Sequence, residues 1–221
     1  MDTFDLYRDI QCRTNGEIYL GVVGPVRSGK STFIKRFMDV LVLPKMTDEH
    51  AKERTVDELP QSASGKSIMT TEPKFVPKEA AEIQLAKDVS VRVRLIDCVG
   101  YMVDGAAGHL ENGAERLVKT PWNEKEIPFT KAAEIGTKKV IHDHSTIGIV
   151  VTTDGSIGEL PRESYRAAEK KTIQELKSIG KPFVVLINTR KPYGTEAKTM
   201  AEEIRNEYQV TALPVNCEQL R

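Results

Sequence analysis

The chain has 221 residues, enough for one large domain with a hydrophobic core that needs no disulfide or metal to hold it. Lys and Arg number 32 and so do Asp and Glu, a neutral mixture that excludes the basic face of a nucleic-acid-binding domain and attachment to anionic lipid by charge alone. The acidic start Met1-Asp2-Thr3-Phe4-Asp5, the lack of any 18-residue apolar run and three scattered cysteines (Cys12, Cys98, Cys217) predict a soluble protein of the reducing cytoplasm.

Glu17–Val23 reads as a strand that runs into a glycine-rich loop, and Lys30–Leu41 as a helix with Phe33, Ile34, Phe37 and Leu41 on one side. Pro44 to about Pro77 is polar and without a persistent period, as functional or mobile segments often are. Ile83–Leu85 and Val89–Ile96 predict a hairpin turning near Lys87-Asp88. In its second strand Val91, Val93 and Leu95 alternate with Arg92 and Arg94, so that strand is expected at a wet sheet edge. Asp97 to Pro128 reads as irregular and holds the single tryptophan, Trp122. A helix over Thr130–His142, a strand over Thr146–Thr152, a helix over Ser164–Ile179, a strand over Phe183–Asn188, a helix through Ala197 to Tyr208 and a short strand over Thr211–Val215 complete the pattern. Continuous apolar strands separated by helices predict an α/β fold, mostly a parallel sheet covered on both faces, with an antiparallel edge strand.

Gly24-Pro25-Val26-Arg27-Ser28-Gly29-Lys30-Ser31-Thr32 matches G-x-x-x-x-G-K-[ST] between a predicted strand and a predicted helix. In that setting the loop N–H groups and the helix start cradle phosphates. Gly24, Arg27, Ser28, Gly29, Lys30, Ser31 and Thr32 are therefore candidate nucleotide contacts. Lys30 would reach the β- and γ-phosphates, and the Ser31 hydroxyl would ligate Mg²⁺. Asp97 closes an apolar strand at the head of Asp97-Cys98-Val99-Gly100. It is the candidate for holding the Mg²⁺ shell, with the Gly100 N–H approaching the γ-phosphate. Thr70 and Thr71 lie in the long polar stretch. One could ligate the metal while the other contacts the γ-phosphate or the attacking water; a plain solvent turn is the alternative.

Two positions depart from the Ras-like pattern. Tyr101 stands where a water-orienting Gln follows D-x-x-G, which excludes a Gln-assisted mechanism and leaves water positioning to Thr70 or Thr71. After the strand ending at Asn188, a nucleotide-binding candidate, Lys191 stands where guanine-specific proteins place the Asp that accepts from the base. Lysine carries no acceptor, so ATP is expected over GTP. Two roles are open to Arg27: a built-in arginine finger, or a side chain turned to solvent. His142-Asp143-His144 reads as a polar turn rather than a metal site, and Cys98 as a buried thiol.

GVVGPVRSGKSTFIKRFM, DELPQSASGKSIMTTEPKFVP, RLIDCVGY, AAEIGTKKVIHDHSTIGIVVTTDGSIGE and GKPFVVLIN together resemble the N-terminal ATPase domain of the stage IV sporulation protein A family. The resemblance covers essentially the whole chain. It is most specific in DELPQSA to IMTTEPKFVP and in the TPW, IPF, AAEIGT run, which ordinary GTPases lack. It implies a three-layer P-loop NTPase of the Ras-like, translation-factor-related class, with residues 1–221 as one nucleotide-binding domain at the start of a longer chain. It implies Mg²⁺-dependent ATP hydrolysis with Lys30, Asp97 and the Thr70-Thr71 pair at the nucleotide-handling positions. It further implies self-assembly into the spore-coat basement layer, docking at the outer forespore membrane through a small amphipathic membrane protein, and contact with other coat proteins. A regulatory GTPase switch and a structural module with incidental hydrolysis are the competing readings.

Overall fold

A computed structural model describes residues 16–60, 71–86, 89–106, 108–111 and 113–220. Its centre is a six-stranded sheet of β1 (Glu17–Val23), β2 (Lys74–Ala86), β3 (Val89–Asp97), β8 (Ile147–Thr153), β9 (Phe183–Asn188) and β10 (Ala212–Val215). The strand order is β10-β9-β8-β1-β3-β2, parallel throughout except that β2 runs antiparallel to β3. Side chains alternate across a pleated strand, and here both faces are covered, so neighbouring residues enter different cores. Val22, Leu95, Val151 and Leu186 pack in one cluster; Val23, Ile96, Val150 and Ile187 pack in the other. Helix α1 (Lys30–Phe37) contributes Phe33 and Ile34 to the first. Helix α4 (Arg162–Ser178) adds Tyr165, Ile173 and Leu176 to the second, and α5 (Thr195–Tyr208) adds Ala201, Ile204 and Tyr208. The result is the expected three-layer α/β P-loop fold.

An antiparallel strand does lie at the edge, but it is not the alternating strand expected there. The alternating strand β3 lies inside the sheet, between β1 and β2, and β2 forms the edge. Its arginines have protein partners on the polar face: Arg92 Nη2 lies 2.7 Å from Glu17 Oε1, and the Arg94 guanidinium sits over the rings of Tyr19 and Phe75. Arginine packs its flat group on aromatic faces, so alternation with Arg does not require water.

Three further elements differ from the sequence reading. The helix after the glycine-rich loop leaves α geometry at Phe37, widens into a π turn over Met38–Val42 and ends in a 3₁₀ turn at Pro44, whose missing N–H cannot continue it. Helix α2 (Glu49–Glu58), capped by the Asp48 side chain, occupies part of the polar stretch. It buries only Thr55 and so has no apolar stripe to reveal it. Between Asp97 and Pro128 lie two small hairpins, β4 (Leu110–Glu111) with β5 (Ala114–Glu115), and β6 (Leu117–Thr120) with β7 (Asn123–Pro128). They lead into α3 (Phe129–Lys139), which widens into a π turn over Val140–His144. The expected turn at Lys87-Asp88 lies outside the described residues.

Candidate functional site

Parallel pairing of β1 with β3 sets Val22 opposite Asp97, so the glycine-rich loop after β1 and the carboxylate ending β3 leave the sheet side by side. The loop turns on residues held at positive φ: Gly24 at 132°, Arg27 at 60° and Gly29 at 97°. A Cβ at Gly24 would fall 2.3 Å from the Val151 carbonyl oxygen, and one at Gly29 2.2 Å from Asn188 Nδ2, so only glycine fits either place. Gly29 is the N-cap of α1 and offers no side-chain acceptor, which leaves the first helical N–H groups for an anion. Ser28 is fully buried, and its hydroxyl has no hydrogen-bond partner among the described residues.

Lys30 is buried, and its Nζ donates to the Pro25 carbonyl across the loop at 2.6 Å. Burial pushes its pKa below the ordinary value, while neighbouring Cys98 and Asp97 oppose that shift. Ser31, next on α1, donates its hydroxyl to Asp97 Oδ2 at 2.7 Å. Burial raises the Asp97 pKa; the Ser31 hydrogen bond and the Lys30 charge pull it back. The second oxygen, Asp97 Oδ1, is buried without a partner among the described residues. A buried carboxylate oxygen left unbonded next to a hydroxyl is a costly arrangement for the protein alone and a fitting donor set for a hard divalent cation such as Mg²⁺. Thr32, the next helical residue, is half-buried.

Gly100, at φ 94°, closes the site from the β3 side. A Cβ there would come within 2.1 Å of the Gly24 carbonyl oxygen and 2.7 Å of Lys30 Nζ. Tyr101 N donates to Gly24 O at 3.1 Å and Val26 N donates to Tyr101 O at 2.8 Å, sewing the two loops together. At the far side Asn188 Nδ2 donates to the Ser28 carbonyl at 3.1 Å, and Asn188 Oδ1 accepts from Cys217 N at 3.1 Å. Asn188 thus ties the phosphate loop, through Nδ2, to the turn at Cys217, through Oδ1.

The structure therefore brings Gly24, Ser28, Gly29, Lys30, Ser31, Asp97, Gly100 and Asn188 together. Arg27 is half-buried, and its charge lies close enough to the buried Tyr165 hydroxyl to oppose the pKa rise that burial causes there. Thr71 is buried beside α3, its carbonyl oxygen so near Gly136 that a Cβ there would fall 2.5 Å away; no described residue bonds its hydroxyl. Thr70 lies outside the described residues. Cys98 Sγ donates to Val22 O at 3.5 Å, and burial raises the thiol to about 11, leaving it protonated at neutral pH. His142 and His144 face different neighbours, Glu175 at 2.9 Å and the edge of Phe75. The bracing role of Asn188 and the anchoring role of Tyr101 escaped the sequence reading, which weighed each only against a guanine-nucleotide motif. No described helix is long and apolar enough to cross a membrane.

The family model for stage IV sporulation protein A, ATPase domain, matches residues 1–221. The chain belongs to the stage IV sporulation protein A family. A stage IV sporulation protein A from Clostridioides difficile (strain 630) is 56% identical over 212 residues, covering 96% of this chain and 43% of that protein. One from Bacillus subtilis (strain 168) is 51% identical over 221 residues, covering 100% and 45%. The chain thus spans less than half the length of the curated stage IV sporulation proteins A it matches. A solved structure of an SsGBP mutation variant is similar at 13% identity and a TM-score of 0.49, over 96% of this chain and 55% of that one.

Proposed function

We propose that residues 1–221 form a nucleotide-binding domain that hydrolyses ATP with Mg²⁺. The observation that carries this reading is the Ser31 Oγ–Asp97 Oδ2 contact of 2.7 Å beside buried Lys30, with Asp97 Oδ1 left unbonded. Ser31 and Asp97 would hold the cation, with Thr70 or Thr71 as a further ligand. Held by these side chains, Mg²⁺ would supply positive charge against the negative charge that develops on the phosphates. The remaining work falls to the chain itself. The N–H groups of the loop and of α1 bind the phosphates, the Lys30 ammonium carries positive charge to them, and the Gly100 N–H stands ready for the terminal phosphate. Thr70 or Thr71 orients the attacking water in place of the glutamine that Tyr101 replaces. Arg27, itself a residue of the loop, is the proposed arginine finger.

ATP is the proposed nucleotide because Lys191 cannot accept a hydrogen bond from guanine. Family membership supports a sporulation role. The finer reading is that turnover drives self-assembly of the spore-coat basement layer on the outer forespore membrane, from the cytosol of the mother cell. Other coat proteins and a small amphipathic membrane protein are the proposed partners, and no nucleic acid. The even charge balance agrees with attachment through a partner or a region beyond this chain rather than through a basic surface. The test is hydrolysis of radiolabelled ATP and GTP by the parent chain. ATP should be preferred, and Lys30→Ala and Asp97→Asn should each lower turnover by at least about 100-fold. A preference for GTP, or ATP bound and never hydrolysed, would overturn the reading.

A further inference from the structure

Tyr101 is the residue that follows Gly100, and its two halves are tied to different parts of the molecule. Its backbone exchanges two hydrogen bonds with the phosphate loop, to Gly24 O and from Val26 N. The residue is 4% exposed and its ring is seated against α4, where Tyr101 Oη donates to Glu175 Oε2 at 3.3 Å and the Lys171 ammonium lies 4.5 Å from the ring centroid. Both partners are held in turn: Glu175 Oε1 meets His142 Nε2 at 2.9 Å, and Lys171 Nζ donates to Glu134 Oε1 at 3.0 Å. The adjacent Gly100 leaves no room for a Cβ between Gly24 O and Lys30 Nζ. The residue beside the terminal-phosphate position is thus strapped to the phosphate loop by backbone and to a core helix by side chain.

Building on the ATPase reading above, we infer that Tyr101 is a positioning residue that fixes Gly100 against Lys30 through this double attachment. On that reading a nucleoside triphosphate would use the Gly100 N–H, whereas a diphosphate would rest on the loop Gly24–Ser31 alone. Loosening Gly100 should therefore tell against ATP more than against ADP. A packing defect would weaken both alike.

The experiment measures ATP and ADP affinities by calorimetry, and kcat and KM for ATP, in the full 221-residue chain carrying Tyr101→Ala, Tyr101→Phe, Glu175→Ala or Glu175→Gln. Tyr101→Ala should lower the ATP-to-ADP affinity ratio about tenfold and kcat by about 10- to 100-fold, with ADP affinity within about twofold of the parent. Tyr101→Phe keeps the ring under Lys171 and should lose only about two- to fivefold in kcat. Glu175→Ala should match it, and Glu175→Gln, which still accepts from Oη, should restore parental kcat. The Phe and Glu175 variants decide the matter if the alanine variant fails to fold. An unchanged affinity ratio and kcat in the variants, or equal losses for ATP and ADP, would overturn the inference while leaving the ATPase reading intact. A parent chain that neither binds nor hydrolyses ATP would overturn both.

Discussion

The phosphate loop and the hairpins between Leu110 and Pro128 are all short connections, and they are held in opposite ways. In the loop, Pro25, Val26 and Ser28 are buried, and the backbone is fixed from three directions by Tyr101, Asn188 and Lys30. In the hairpins, every residue of β4 and β5 and most of β7 is exposed, and among the described residues the strands pair only with each other. A conformation fixed by long-range neighbours tolerates almost no change in any of them. One fixed by its own short-range turn chemistry responds only to changes in that turn.

Gly24 and Gly113 put this difference to its largest test. Both hold positive φ, 132° and 81°, but a Cβ at Gly24 meets the Val151 carbonyl at 2.3 Å, whereas at Gly113 nothing lies within 4 Å. Gly113→Ala should cost only backbone strain, about 1 kcal/mol. Gly24→Ala adds a clash with sheet backbone that cannot retreat, and should cost more than about 3 kcal/mol. Urea unfolding at matched m values reads both; equal losses would break the contrast.

How much the sequence revealed follows the same division. The loop, β1 and β9 were legible because a phosphate motif and continuous apolar runs are local signals, and these strands have the bounds expected of them. The place of β3 was misjudged because Arg94 looks solvated until Tyr19 and Phe75 are known to lie beneath it. Helix α2 carries no periodic signal, since burying Thr55 alone leaves no stripe. The β4–β5 hairpin carries no periodic signal either, since each of its strands is two residues long. Within the site the residue types singled out Lys30, Ser31 and Asp97, which the structure places side by side. The roles of Asn188 and Tyr101 depend on which loops come together, which no local spacing encodes.

Alkaline pH should act on the braced region next. Cys98 lies beside the loop and Cys217 on the Asn188 brace, and burial raises their thiols to about 11 and about 12 from an ordinary 9.0. Between pH 9 and 11 the unfolded chain releases these protons while the folded chain keeps them. The folded state then binds more protons, so its stability falls as pH rises through that window and is unaffected below it. Melting temperatures from pH 7 to about 10.5 should show the decline, and it should be weaker in Cys98→Ala. Native iodoacetamide labelling at pH 8 should be at least about 100-fold slower than in urea. Labelling of Cys98 as fast as in the unfolded chain would mean that the loop is not braced.

The smallest expected effect sits where the two regions meet, on α3. Gly136 and Thr137 of this helix face Thr71 and Cys98 on the site side. Lys139, at the helix end, places its ammonium 5.6 Å from the ring of Trp122 between β6 and β7, and reaches Asp143 at 3.8 Å. Both contacts are weak at a partly exposed position, so Lys139→Ala should cost about 0.5 kcal/mol. Trp122 is the single tryptophan, so its emission reports this hairpin alone. If the hairpin is held only by local contacts, Lys139→Ala should shift that emission and leave ATP turnover within about twofold of the parent. A turnover loss as large as that expected of Tyr101→Ala would show instead that α3 carries strain between hairpin and site, and that the two regions are one mechanical unit.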